Sequence, residues 1–171
     1  QRLALEWAEG YQTGAQVALY VPLRFYSEQG LTALLARSGK QPWPVLEALI
    51  HAKRLNLLLD AVNECPRHLQ ERCCQDIKAL LDAHPTLPVL LTARNLSYRC
   101  ELRLPTFIVR PLDREQQQRF LTAYLHGNVT RATQMLDQIQ NQPGGALIAS
   151  NPLLLRIVVE VSRSEGELPP G

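Results

Sequence analysis

The chain has 171 residues, a net charge of +2, 46% hydrophobic residues and 20% charged residues. This length and composition are typical of a globular protein with one domain, or with one domain and a small appendage. Because the basic residues are scattered and no apolar run approaches the roughly 20 residues of a membrane span, the sequence predicts neither nucleic-acid binding nor a transmembrane segment.

The first predicted element is an amphipathic helix, because apolar residues recur at helical spacing near the amino end. These residues are Leu3, Ala4, Trp7, Ala8 and Tyr11. The chain starts inside this helix, without a start methionine or a signal peptide, so we expect it to be a fragment of a longer protein.

Three further elements are predicted before residue 54. Gln16–Arg24 is an apolar run that predicts a strand, with Pro22 near its end or on a sheet edge. Leu31–Arg37 predicts a short helix. Val45–Lys53 predicts a second helix, and Pro44 stands where a helix favours its first residue.

Two short apolar runs then end abruptly in polar residues. The first ends at Asp60, with Glu64 shortly after it, and the second, Leu87–Ala93, contains Thr92 and is followed by Arg94. Such runs predict strands that are buried on both faces, as in a parallel sheet. Because ligands of open α/β sheets bind at the carboxyl ends of strands, we expect these polar residues to share one site.

The alternation of strands and helices continues to residue 110. Leu69–Ala83 predicts an amphipathic helix, and Thr106–Arg110 predicts a third short strand. This alternation indicates a parallel α/β sheet. Only helices are predicted after Pro111, so we place a domain boundary between residues 110 and 111.

The part after this boundary is predicted to contain three helices. Asp113 and Gln116 have the spacing of a capping box that opens the first helix. Arg131–Gln140 predicts the second helix, Gln142–Gly145 predicts a turn, and Pro152 begins the third helix.

The four cysteines are Cys65, Cys73, Cys74 and Cys100. None is spaced as C-x-x-C, and no histidine lies at metal-ligand spacing from them. We therefore expect reduced thiols in a cytoplasmic protein, some of them packed as small hydrophobic side chains.

The polar residues at the strand ends favour magnesium-dependent phosphate chemistry. Magnesium binds oxygen ligands and keeps several waters, so the single carboxylate of Asp60 suffices to hold it. Glu64 is a candidate to polarise an attacking water, and Arg94 is a candidate to sense a phosphate. A bland alternative stays open, in which Asp60 serves solubility or helix capping, Arg94 is a surface ion-pair residue and Thr92 bonds to backbone.

Five segments of the chain stand in a characteristic order and spacing: Arg2–Ala8, Leu57–Glu64, Leu90–Arg94, Val109–Tyr124 and Asn151–Leu155. In these segments the chain resembles NACHT domains, the nucleotide-binding modules of STAND-type signalling ATPases within the P-loop NTPases. The resemblance covers essentially the whole chain. It implies an α/β fold, with a P-loop NTPase-like parallel sheet flanked by helices over residues 1–110 and a small all-α helical subdomain over residues 111–171.

The same resemblance implies ATP or ADP and Mg²⁺ as ligands. The implied site residues are Asp60 for the metal, Glu64 for catalysis, and Thr92, Arg94, Asn151 and Pro152 for the nucleotide. Pro152 matches a family proline that packs near the adenine. The Asn151-Pro152 pair before an apolar run is also an ordinary helix start.

Two features depart from the family pattern. Asn63 stands where the family usually has a second aspartate, and because an amide lacks the negative charge we expect slow hydrolysis. The phosphate-binding loop, G-x-x-x-x-G-K-[ST], and its strand would lie immediately before Gln1. In the family that strand is central, between the strands predicted at Leu87–Ala93 and Thr106–Arg110, so this chain would lack the central first strand.

The resemblance implies a nucleotide-dependent conformational switch with slow, Mg²⁺-dependent ATP hydrolysis. It further implies that flanking sensor and effector domains of the same chain read the switch, and that activation is accompanied by oligomerisation. Two alternatives stay open. One is an AAA+-like remodelling ATPase, with Arg156 as the sensor-arginine candidate, and the other is a non-catalytic α/β scaffold in which Asp60 and Glu64 are incidental.

Overall fold

We describe the protein from a computed structural model, which describes residues 16–94, 100, 102 and 104–165, with side chains as far as Ser162. The helix predicted around Leu3–Tyr11 lies outside the described residues. The chain divides into two compact units, unit 1 over Gln1–Leu104 and unit 2 over Pro105–Gly171.

Unit 1 is built on a three-stranded parallel sheet in the order β1-β2-β3. The strands are β1 (Val17–Pro22), β2 (Leu55–Asp60) and β3 (Val89–Leu91). The prediction of a parallel sheet is therefore confirmed. The central strand β2 is buried from its first residue to Leu59, as its continuous apolar run predicts, whereas Leu90 in β3 is 47% exposed. The predicted burial on both faces is wrong for β3, because it is the last strand of the described sheet.

Among the described residues of unit 1, three α-helices accompany this sheet: α1 (Gly30–Gly39), α2 (Trp43–His51) and α3 (Gln70–Ala83). Pro44 lies in the first turn of α2, where its missing N–H has no helical acceptor to lose. Apolar residues at helical spacing on α3 are buried against the sheet. The helices and strands share one core, which includes Leu35, Leu57 and Leu59.

One pair of cysteines departs from the expectation of reduced thiols. Cys74 on α3 and Cys100 form a disulfide, with Cα atoms 5.4 Å apart, while Cys65 and Cys73 are free and buried. The two bonded residues are 26 positions apart in sequence. Local spacing rules cannot detect such a pair, because the fold alone brings the two side chains together.

The third strand predicted at Thr106–Arg110 is not formed. Phe107, Ile108 and Val109 are 89%, 78% and 95% exposed, and no described residue pairs with the segment as a strand. A strand forms only where a neighbour takes its N–H and C=O groups. The apolar and β-branched residues that prompted the prediction favour a strand, but they do not provide a neighbouring strand with which it could pair.

Unit 2 is helical over the residues that the structure describes. Its helices are α4 (Arg114–Tyr124), α5 (Val129–Gln140), α6 (Gly145–Ser150) and α7 (Pro152–Glu165). The predicted capping box is confirmed, because Gln116 N donates to Asp113 Oδ1 at 2.8 Å and Asp113 N donates to Gln116 Oε1 at 3.0 Å. The short helix α6 was not predicted, because the turn signal before it masks so short an element.

The unit 2 helices enclose a core of their own, with Leu121, Leu136 and Leu155 almost fully buried. The opposite side of α7 leaves Leu153 and Ile157 64% and 48% exposed. None of the described helices is long and apolar enough to cross a membrane.

Candidate functional site

The ends of β2 and β3 bring four of the six predicted site residues into two direct contacts. Leu59 of β2 lies opposite Leu91 of β3, so the residues that follow, Asp60 and Thr92, emerge side by side. Thr92 Oγ1 donates a hydrogen bond to Asp60 Oδ1 at 2.7 Å. The strand-end rule therefore places these polar side chains together through parallel register.

The carboxylate of Asp60 receives a second hydrogen bond from the opposite neighbour strand. Tyr20 of β1 donates its phenol hydroxyl to Asp60 Oδ2 at 2.7 Å. The hydrogen bonds from Tyr20 and then Thr92 lower the pKa of Asp60 below its ordinary value, against the opposing effect of burial. Asp60 is accordingly ionised at neutral pH, and among the described residues each of its oxygens accepts one hydrogen bond.

The backbone turns sharply after Asp60. Ala61 has φ 56 and ψ 60, a left-handed conformation that costs a non-glycine residue about 1–2 kcal/mol. Ala61 N donates to Thr92 Oγ1 at 2.8 Å, and Val62 N donates to the Thr92 carbonyl at 3.0 Å. These contacts offset the strain, and the turn continues as a short 3₁₀ helix over Val62–Glu64.

This turn delivers Glu64 to the second contact of the site. Arg94 Nη2 lies 3.0 Å from Glu64 Oε1, and the two side chains are 82% and 30% exposed. The backbone is fixed more tightly than the ion pair, because Arg94 N donates to Asn63 Oδ1 at 2.6 Å. Asn63, which from the sequence is only a departure from the family pattern, thus holds the backbone of Arg94, the residue that pairs with Glu64.

Residues 1–128 match the family model for the NACHT domain. The chain belongs to the NACHT domain family. A search of curated proteins found no match. The parallel sheet with flanking helices and the helical carboxyl-terminal part fit the P-loop NTPase-like α/β fold of this family.

The matched stretch of the NACHT domain contains both contacts at the strand ends, but it stops before the remaining two predicted site residues. Asn151 and Pro152 are exposed residues of unit 2 at the start of α7. Asn151 Oδ1 accepts hydrogen bonds from Leu153 N at 3.0 Å and Leu154 N at 3.3 Å. This is the geometry of a helix N-cap, so the local role of the pair is to begin α7.

The donor set of the NACHT site fits a magnesium ion. An ionised carboxylate offers about four acceptor positions, and Tyr20 and Thr92 occupy two of those on Asp60. No group of three or more metal-ligating side chains occurs among the described residues. One carboxylate, completed by waters and phosphate oxygens, is the way in which Mg²⁺ is commonly held at nucleotide sites.

Tyr20 is the site residue that sequence reasoning missed. A tyrosine in an apolar strand is a weak signal, although a buried phenol hydroxyl usually finds a partner. The partner follows from the register, because Tyr20 pairs with Leu58 and Asp60 lies two residues further on the same face of β2. Arg156, the candidate for an AAA+-type sensor, lies instead over the ring of Tyr124 at 5.9 Å.

Proposed function

We propose that this NACHT domain is the nucleotide-binding part of a signalling ATPase, a switch that alternates between ATP and ADP and hydrolyses ATP slowly with Mg²⁺. The observation that carries the proposal is the pair of contacts made by the same two strand ends, Asp60 with Thr92 and Glu64 with Arg94. Membership of a P-loop NTPase family supports a nucleotide as the ligand.

Each side chain has a separate role in this proposal. Asp60 holds Mg²⁺, which supplies positive charge next to the phosphates when it is bound. The carboxylate of Glu64 accepts a hydrogen bond from the attacking water and takes its proton. Thr92 orients Asp60, and Arg94 binds the γ-phosphate through charge-assisted hydrogen bonds.

The exposed ion pair explains how the nucleotide state would be sensed. In the structure Arg94 binds Glu64, and a pair this exposed contributes only about 0–1 kcal/mol. A γ-phosphate competes well for the guanidinium, because phosphate and guanidinium form bidentate hydrogen bonds. Binding of the triphosphate then transfers Arg94 to the phosphate and frees Glu64 to act on water.

We further propose residues 1–110 as the NTPase core and residues 111–171 as the start of the helical subdomain, with Asn151 and Pro152 near the base. Flanking sensor and effector domains of the same chain would read the nucleotide state, and oligomerisation would follow activation in the cytoplasm. The basis for these assignments is the family to which the chain belongs.

The test is a pair of matched substitutions in the full-length protein. Glu64→Gln keeps the size of the side chain but removes its ability to accept a proton, so hydrolysis should fall by about two to four orders of magnitude while nucleotide binding persists. Glu71→Gln makes the same change at an exposed position of α3 and should hydrolyse ATP at the parent rate. Steady-state hydrolysis and calorimetric binding give the two readouts.

The proposal also predicts a different effect at the metal ligand. Asp60→Asn should weaken the magnesium dependence of nucleotide binding, because the amide keeps an acceptor oxygen but loses the charge. A Glu64→Gln variant that hydrolyses ATP at the parent rate would contradict the role given to Glu64. A full-length protein that binds no nucleotide would contradict the proposal as a whole.

A further inference from the structure

The contact between Tyr20 and Asp60 joins the candidate site to β1, a strand that supplies none of the residues expected from the family resemblance. The phenol hydroxyl of Tyr20 donates to Asp60 Oδ2 at 2.7 Å, and this bond is partly buried. Tyr20 and Asp60 project from the same face of adjacent parallel strands. The bond is therefore set by sheet register.

The second hydrogen bond to Asp60 comes from β3, the strand on the other side of β2 from β1. Thr92, at the end of β3, donates to Oδ1, so the two neighbouring strands hold the two oxygens of one carboxylate. A carboxylate held at both oxygens cannot rotate freely about its terminal torsion. Each oxygen also has one acceptor position fewer to offer to a cation.

Calcium and magnesium, the two common hard divalent cations, differ in how they bind a carboxylate held in this way. Calcium takes six to eight oxygen ligands in flexible geometry and often grips a carboxylate through both oxygens. Magnesium demands near-octahedral geometry, binds a carboxylate through one oxygen or through a bound water, and keeps several waters. An Asp60 carboxylate fixed by Tyr20 and Thr92 fits the one-oxygen binding of magnesium better than the two-oxygen binding of calcium.

We propose that Tyr20 is a positioning residue that makes the Asp60 site selective for Mg²⁺ over Ca²⁺. The proposal rests on the proposed function, since it assumes that Asp60 is the metal-binding carboxylate. Tyr20 acts through Asp60 and does not itself bind the metal. Removing its hydroxyl frees Oδ2 and allows the carboxylate to turn, which relaxes the preference between the two cations.

A purely structural bond of the same kind occurs elsewhere in unit 1 and supplies a matched control. Tyr26 donates its hydroxyl to Asp76 Oδ2 at 2.7 Å, the same donor, acceptor and distance as at Tyr20. Asp76 Oδ2 also accepts from Leu31 N at 3.0 Å, so this pair fixes the start of α1. Tyr26 is only 2% exposed, which makes loss of its hydroxyl at least as costly to the fold.

The experiment compares Tyr20→Phe and Tyr26→Phe in the full-length protein. ATP affinity is measured by calorimetry with Mg²⁺, with Ca²⁺ and with neither ion in EDTA. Tyr20→Phe should reduce the ratio of Mg²⁺-supported to Ca²⁺-supported affinity by about tenfold, the scale of one hydrogen bond to a charged group, and should leave the affinity in EDTA unchanged. Tyr26→Phe should keep the parent ratio.

A second readout needs no nucleotide. The Asp60 carboxyl titration, followed by NMR in the metal-free protein, should show a higher pKa in Tyr20→Phe than in the parent, because its largest lowering contact is gone. In Tyr26→Phe the Asp60 titration should not move.

The outcomes separate the inference from the function on which it rests. If Asp60→Asn weakens the metal dependence but Tyr20→Phe keeps the parent preference for Mg²⁺, the role of Tyr20 is wrong and the proposed function stands. If both tyrosine variants lose the preference equally, the effect is structural and the inference is again wrong. If ATP affinity in the parent does not depend on either metal, the inference and the metal role of Asp60 fail together.

Discussion

The two carboxylates of the NACHT site are held in opposite ways. Asp60 accepts hydrogen bonds on both oxygens from the two strands beside it, whereas Glu64 makes one ion pair with a side chain that is 82% exposed. The first arrangement fixes a charge before any ligand arrives. The second can be exchanged at little cost, because exposed ion pairs contribute about 0–1 kcal/mol.

This difference supports the proposed function, because a slow switch needs a charge that stays fixed and a contact that can be exchanged. In the proposed function, a fixed Asp60 would give the metal the same position with ATP and with ADP. In the same proposal, Glu64 would become available to act on water only when another group binds Arg94 in its place. A ligand shifts such an equilibrium only by its differential affinity for the two arrangements, and in the proposal the γ-phosphate would supply that difference.

The largest expected effect is at the exposed ion pair between Arg94 and Glu64. Arg94→Ala should bring the affinities for ADP and a non-hydrolysable ATP analogue to nearly the same value, removing a preference of about tenfold or more, because hydrogen bonds to charged groups contribute roughly 1.5–3 kcal/mol. Calorimetry measures the two affinities. Hydrogen exchange across residues 113–160 should then no longer depend on which nucleotide is bound.

A second exposed arginine provides the control for that variant. Arg72 pairs with Glu28 at 2.8 Å on the surface of unit 1, with side chains 50% and 71% exposed. Arg72→Ala removes a comparable ion pair and should leave nucleotide discrimination at the parent level. If hydrogen exchange in Arg94→Ala still depends on the bound nucleotide as in the parent, Arg94 is only a surface charge. Its ion pair with Glu64 would then have no part in sensing the nucleotide.

An intermediate effect is expected at the hydrogen bond between Thr92 and Asp60. Thr92→Val removes the donor to Asp60 Oδ1 and the acceptor for Ala61 N, so the strand-end turn should lose about 1 kcal/mol of local stability. The measurement is the exchange rate of the Ala61 amide hydrogen, which should rise about fivefold in the valine variant on that estimate.

The conservative variant sharpens this test. Thr92→Ser keeps the hydroxyl and should retain slow exchange at Ala61 together with the parent magnesium dependence of binding. If valine and serine give the same exchange rate, the Thr92 hydroxyl does not support the turn, and Asp60 is less fixed than the distances indicate.

The elements that were predicted correctly are those whose signal is local. The apolar run ending at Asp60 and the helical periodicity of α3 depend only on neighbouring residues, and both elements are present. The convergence of Asp60 with Thr92 and of Glu64 with Arg94 follows from one further rule, that parallel strand ends meet at one edge of a sheet.

The features that escaped prediction depend on the partner of a residue. Thr106–Arg110 has strand composition but no described strand beside it, and Cys74 meets Cys100 only through the fold. Tyr20 gains its role from the register of β1 on β2, and Asn63 gains its role from the amide of Arg94. No periodicity or spacing rule carries that information, because each contact joins residues that are distant in sequence.

The smallest expected effect is a pH dependence that belongs to the fixed carboxylate. The hydrogen bonds from Tyr20 and Thr92 hold the pKa of Asp60 below its ordinary value of 3.8. A carboxyl whose pKa is lower in the folded than in the unfolded state stabilises the fold above its unfolded pKa, and that stabilisation is lost as the pH falls through the folded pKa. The parent should therefore lose stability relative to Asp60→Asn as the solution becomes acidic.

Chemical denaturation of the parent and Asp60→Asn at neutral pH and in steps down to about pH 3, below the ordinary pKa of aspartate, measures this difference. The gap in free energy of unfolding should be constant near neutral pH and should narrow only on the acid side of the ordinary aspartate pKa. Tyr20→Phe should lose less stability than the parent over the same acid range, because its folded Asp60 pKa lies closer to the unfolded value. A gap that does not change with pH would mean that Asp60 titrates alike in the folded and unfolded chains. The two hydrogen bonds would then not fix its charge, and the contrast with Glu64 would rest on geometry alone.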